Sequence, residues 1–195
     1  MPEEERRNTA YHESGHAIVA SVLPGLDPIH KISIVQRGFG ALGYTMQLPL
    51  EDKYLATRTE LLSQLAVLLG GRTAEEIALS EISTGAQNDL QRATDLARAM
   101  VTEYGMSDSL GAINYDGQKR PRFLDIALPQ ERGLYGEQTA EKIDVEIKRI
   151  LVEAHDKARN ILSSHRGDLE RVTRRLLEVE VMEGDELRQL LATPA

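Results

Sequence analysis

Two histidines stand four residues apart in "AYHESGHAIVA", with a glutamate directly after the first: His12-Glu13-Ser14-Gly15-His16. On a helix, residues four apart lie on one face, one turn above the other. His12 and His16 can therefore offer imidazole nitrogens to a single ion. Glu13 is rotated by about 100° from His12, which puts its carboxylate beside that ion instead of on it. This is the logic of the zinc-peptidase pattern His-Glu-x-x-His. The metal lowers the pKa of a bound water to about 7, and the glutamate takes the proton as the water attacks a carbonyl. The plainer alternative is two ordinary helix histidines, because the pattern is short and chance matches occur. Gly15 costs the helix about 1 kcal/mol, so a packing reason such as close approach by another segment is expected there.

A catalytic zinc takes three protein ligands plus water. No third histidine follows shortly after His16, and His30, His155 and His165 carry no feature that marks a ligand; they read as surface or hairpin residues. A carboxylate is the better candidate. In the segment starting near Gly85, Asp89, Ala93, Leu96 and Met100 share one helix face. The other three are apolar, so this face should be buried, and a buried carboxylate is costly unless it meets a cation or hydrogen-bond donors. Asp95 falls on the polar side with Gln91 and Arg98. An internal salt bridge or a capping role would satisfy Asp89 equally well. Glu75 and Glu76, in "GGRTAEE", are rivals for the third position, or acceptors for the other nitrogen of a histidine.

The elements that must position these residues follow from periodicity. Residues 2 to 23 read as one helix, with Pro2 in its first turn and Glu3, Glu4 and Glu5 at the positive end of its dipole. "KISIVQR" (31 to 37) and "LGYTMQL" (42 to 48) read as strands joined by a turn at "GFGA". In the second, Leu42, Tyr44, Met46 and Leu48 alternate with small or polar residues, which predicts one buried face. Either strand could supply an exposed edge to an extended peptide, or the hairpin could merely cover the core. Helices are expected at 54 to 70, 72 to 79 and 85 to 104, the last with a capping box from Thr84 and Gln87. Residues 105 to 133 read as a long connection. Beyond it, Ile143, Ile147, Ile150, Ala154, Ala158 and Ile161 form a stripe on a helix near 138 to 164, with shorter helices near 168 to 178 and 184 to 192.

Composition narrows the function classes. The chain has 195 residues, 4% aromatic and without Trp, so aliphatic residues must fill a mainly helical core. A net charge of -8 argues against a nucleic-acid partner. Cysteine is absent, which removes disulfides and thiolate ligands. No apolar run approaches the roughly 18 residues that span a membrane, so this chain is expected to be soluble, without a membrane segment of its own. Gly38, Gly40 and Gly43 match the dinucleotide fingerprint, but a strand follows them instead of a helix, and no phosphate-binding loop with Gly-Lys-Ser/Thr occurs.

His12-Glu13-x-x-His16, "HKISIVQRG", "LGGRTAEE", "STGAQNDLQRATDLARAMVTEYGMS" and "IDVEIKRI", in this order and over almost the whole chain, resemble the peptidase domain of the FtsH family. These are ATP-dependent zinc proteases of bacteria, mitochondria and chloroplasts. The resemblance implies a mainly α fold with a small β-hairpin or sheet. It implies Zn²⁺ held by His12, His16 and Asp89, the aspartate of the family's Thr-Gly-Ala-x-x-Asp block, with Glu13 as the catalytic base. The substrates it implies are unfolded or membrane-extracted polypeptides. The partners are five further copies in a homo-hexamer and an AAA+ ATPase domain of the full-length protein, anchored at a membrane with the peptidase on its cytoplasmic, matrix or stromal side. The ATPase and anchor are not in this sequence, which resembles an excised domain or truncated relative; ATP-driven degradation is not expected of this chain alone. Residues 1–133 are expected to form the zinc-peptidase core, with the His-Glu-x-x-His helix, hairpin and third-ligand helix. Residues 134–195 are expected to form a C-terminal helical part of the same domain that serves oligomerisation. The competing readings are a non-proteolytic, zinc-stabilised ring-assembly module and a zinc hydrolase of small molecules.

Overall fold

The computed structural model describes residues 1–36, 42–116 and 135–193. Helix α1 (Glu3–Val22) leads to strands β1 (Ile29–Ser33) and β2 (Tyr44–Gln47). Helices α2 (Arg58–Leu79) and α3 (Gln87–Thr102) follow, then α4 (Glu137–Ser164), α5 (Arg166–Val179), β3 (Val181–Glu183) and α6 (Gly184–Ala192). The protein is therefore mainly helical with one small antiparallel sheet. The "GFGA" turn and the greater part of the 105 to 133 connection lie outside the described residues.

Helix α1 is the spine. It starts at Glu3 and carries three glutamates in its first turn, as the sequence predicts, whereas Pro2 stands at the N-cap with a non-helical backbone and not inside the first turn. Every residue from Thr9 to Ala20 is buried, so the helix is enclosed by α2, α5 and the sheet instead of presenting one stripe. Two apolar clusters meet around it. One joins α1 to β1, α5, α6 and the end of α4 through Ile18, Ile32, Leu162, Leu169 and Leu176. The other joins α2, α3 and the start of α4 through Leu65, Ala93, Met100, Ile143 and Ile150. Helix α2 contributes to both.

Several local expectations need correction. The two helices expected at 54 to 70 and 72 to 79 are one, starting later, where Thr57 and Glu60 form a capping box. Gly70 and Gly71 do not break it; they let α1 cross closely. A Cβ on Gly15 would lie 2.4 Å from the Gly70 carbonyl oxygen and 2.6 Å from Ala74 Cβ. The capping box expected from Thr84 and Gln87 does not form. Ser83 caps a 3-10 turn over Thr84–Ala86 through the Gly85 amide, and α3 begins after it. Strand β3 was not anticipated: its three residues carry no local signal, and pairing with β1 across the chain makes it a strand. The sheet order is β2-β1-β3, so β2 is outermost. Its expected buried face is absent, since Met46 and Leu48 are exposed. Gly43 and Thr45 make its inward contacts with α1 instead.

Candidate metal centre

The site forms where α1, α2 and the first turn of α3 converge. His12 and His16 project from α1 one turn apart, their rings edge to face with centroids 4.6 Å apart. Asp89 reaches them from the first turn of α3. Its Oδ2 lies 3.1 Å from His12 Nε2 and 3.3 Å from His16 Nε2, and the two Nε2 atoms are 3.0 Å apart. Nitrogen and oxygen ligands about 2.0–2.2 Å from a tetrahedral zinc lie about 3.3 Å from one another, so the triangle has the right size. Among the described residues this is the one group of three or more histidine or acidic side chains gathered in this way.

The tautomers point the same way. His12 Nδ1 donates to Glu75 Oε1 at 2.7 Å, and His16 Nδ1 donates to the Val67 carbonyl oxygen at 2.7 Å. With both Nδ1 positions carrying the proton, both Nε2 lone pairs face the Asp89 carboxylate. Three acceptors converging in a buried place require a cation between them. A proton can serve in part. Burial disfavours the charged form of His12, but its bonds to Asp89 and Glu75 outweigh that and raise its pKa from 6.5 to about 9. Burial likewise opposes ionisation of Asp89, yet both histidines hold its carboxyl well below the usual range. A divalent cation would answer the same electrostatic demand with all three groups in their deprotonated forms.

The surroundings are shaped to this arrangement. A Cβ on Gly71 would lie 2.6 Å from Nε2 of both His12 and His16, so α2 passes directly under the imidazole pair. Burial pushes the Glu75 carboxyl up, but the bonds from His12 and from the Ser83 amide, 2.7 Å from its Oε2, hold it below its ordinary value. Glu13, also buried, lies beside the pair on α1 and accepts at Oε2 from the Thr45 hydroxyl at 2.7 Å. His12, His16, Asp89, Glu13, Thr45, Glu75 and Ser83 border one cleft of about 1350 Å³, whose walls include Tyr44 of β2, Leu55 and Leu68.

The sequence pattern of peptidase family M41 matches residues 1–190. This chain belongs to peptidase family M41. Over 189 residues it is 54% identical to the ATP-dependent zinc metalloprotease FtsH of Syntrophobacter fumaroxidans, covering 97% of this chain and 29% of that protein. It is 50% identical to the FtsH of Pseudothermotoga lettingae over 97% of this chain and 30% of that protein. With the FtsH of Thermotoga maritima the identity is 46%, over 96% and 31%. The chain thus spans less than a third of the length of these curated relatives. The FtsH resemblance read from its sequence blocks is borne out.

Within this M41 chain, the two glutamates left open by the sequence separate clearly. Glu75 faces His12, whereas Glu76 turns away to His155 at 3.1 Å and Arg159 at 2.7 Å. Sequence reasoning missed three contributors: Gly71, Thr45 and the Val67 carbonyl. The Gly-Gly pair inside a helical pattern was a signal for the first. The other two depend on which segments meet in space, and no local pattern announces them.

Proposed function

We propose that this M41 chain is a zinc endopeptidase unit that hydrolyses peptide bonds of unfolded polypeptides. His12, His16 and Asp89 hold Zn²⁺, and Glu13 is the general base. The observation that carries this reading is the triangle of donor atoms 3.0–3.3 Å on a side, with both Nδ1 atoms already committed elsewhere. When bound, zinc would supply Lewis acidity to a water and to the scissile carbonyl. Glu13 takes the proton of the attacking water and passes it to the leaving amine. Strand β2 borders the cleft, and no strand among the described residues pairs with its outer side. An extended peptide can hydrogen-bond to it through main-chain groups, largely without regard to sequence.

The relatives' names imply that the longer protein couples this unit to an ATPase. We place the AAA+ domain, a homo-hexameric ring and a membrane anchor there. Among the described residues of this chain, no helix is long and apolar enough to cross a membrane. A zinc-stabilised module that only assembles rings would have no use for a buried carboxylate oriented beside the ion.

Replacing Glu13 by Gln is expected to leave zinc content unchanged while casein cleavage falls at least about 100-fold, within the range of general base contributions. A chelator is expected to abolish wild-type cleavage. Wild-type rates from Glu13→Gln would remove Glu13 from the reaction.

A further inference from the structure

We propose that Thr45 is a positioning residue for the reaction: its hydroxyl holds the Glu13 carboxylate in its working orientation, so one strand both borders the substrate path and aims the base. The inference rests on the peptidase reading above.

Three observations carry it. The Thr45 hydroxyl lies 2.7 Å from Glu13 Oε2 and 3.2 Å from the Glu13 carbonyl oxygen, spanning the side chain and main chain of one residue. A hydroxyl has one proton to give, and the carboxyl oxygen at the shorter distance is the better placed acceptor. Two residues earlier, a Cβ on Gly43 would lie 2.9 Å from Glu13 Cγ and 2.8 Å from Thr9 Cγ2. Gly43 therefore leaves no room for a side chain beside the stem of the glutamate, while Thr45 binds its end. Finally, Thr45 pairs with Ile32 of the central strand, whose side chain is fully buried, so the hydroxyl is presented from a fixed backbone. A β-branched side chain adds stiffness at χ1. Glutamate has three rotatable bonds, and a base must be held within about 0.5 Å of its productive position. The α1 helix alone fixes only its Cβ.

The arrangement has a mechanical corollary. A peptide that pairs with the outer side of β2 steadies the strand that carries Thr45. Filling the substrate path and setting the base then become one event, and the contribution of Thr45 falls on turnover instead of on binding.

The test compares Thr45→Val, which keeps the shape and removes the hydroxyl, with Thr45→Ser, which keeps the hydroxyl. Wild type and Glu13→Gln run beside them, all zinc-loaded, on a quenched-fluorescence peptide. The expected result for Thr45→Val is a kcat about 10- to 100-fold lower, the scale of a displaced catalytic group, with KM within about 2-fold. Zinc content and melting temperature should be unchanged, and Thr45→Ser should recover most of the rate. Wild-type kcat in Thr45→Val, or an equal loss in Thr45→Ser, overturns the proposal. A crystal structure of Thr45→Val reads the same point without turnover. Glu13 in a new rotamer supports the proposal, and Glu13 unmoved overturns it. If wild type fails to cleave the peptide, the peptidase reading falls, and the rotamer of Glu13 still decides what Thr45 does.

Discussion

At the scale of single residues, neighbours in sequence carry different tasks because a helix turns about 100° per residue. Glu75 and Glu76 show this. One carboxylate bonds to the His12 imidazole, and the other belongs to a surface group with His155, Arg159 and Arg72. Glu75→Ala is therefore expected to weaken metal retention about 10- to 100-fold, as loss of an acceptor behind a ligand histidine does. Glu76→Ala should leave it within about 2-fold. Competition with a fluorescent chelator measures both, and equal effects would show that Glu75 has no special part. From sequence, the pairing of His12 with His16 was legible, because four-residue spacing on a helix is local geometry. The inward direction of the face that Asp89 shares with Ala93, Leu96 and Met100 was also legible, although only Ala93 and Met100 are fully buried and Asp89 itself is half-buried. The distinction between Glu75 and Glu76 was not, because it is set by the angle at which α2 lies against α1.

At the scale of elements, the crossing of α1 and α2 decides the site. Two glycines of α2, side by side, do different work there. A methyl group on Gly71 would press on two imidazole rings, which can move only at the expense of their Nδ1 hydrogen bonds. A methyl group on Gly15 would press on the Gly70 carbonyl, which is helix backbone and can yield only if the helices separate. Gly15→Ala is thus expected to destabilise the fold by about 1–3 kcal/mol, the usual cost of overpacking, even though alanine is the better helix former by about 1 kcal/mol. Gly71→Ala should lower metal occupancy, with a smaller loss of stability than Gly15→Ala because side chains and not helix backbone must yield. Chemical denaturation and metal analysis of the two variants separate these outcomes, and a stable, metal-poor Gly15→Ala would contradict the packing argument. The same crossing explains why α2 read as two helices in the sequence. A Gly-Gly pair is a break when propensity alone is considered, and a contact surface when another helix lies on it. Strand β3 shows the opposite limit, since three residues acquire their structure from a partner about 150 positions away.

At the scale of the whole molecule, the parts far from the metal centre hold it by closing the core. Helix α5 and the end of α4 pack against α1, and α6 packs in turn against α5 and β1, through Leu162, Leu169, Leu176 and Leu187. At the other end, Glu146 of α4 is buried, accepts from Ser107 at 2.9 Å, and is paired with Arg149. That guanidinium, helped by Ser107 and opposed by burial, holds the carboxyl down to about 2 from 4.5. Its folded pKa is below its unfolded value, so its stabilisation is present above about pH 4.5 and is lost as the pH falls toward 2. Glu146→Gln is expected to melt below wild type at pH 7, with the gap narrowing between pH 4.5 and 2. A gap that persists unchanged at pH 2.5 would refute the assignment. Mainly helical character with a small sheet was legible from periodicity at this scale; which helices share a core was not, because burial of both faces of α1 removes the one-sided pattern that reveals a neighbour. The Glu75 carboxylate has a last consequence. One of its oxygens receives the His12 imidazole and the other the Ser83 amide, so the two protons share one acceptor group. When the charge on that imidazole changes, the pull on the amide changes with it. The hydrogen-exchange rate and NMR chemical shift of the Ser83 N–H are therefore expected to give a label-free readout of metal loading, taken from a residue outside the proposed ligand set.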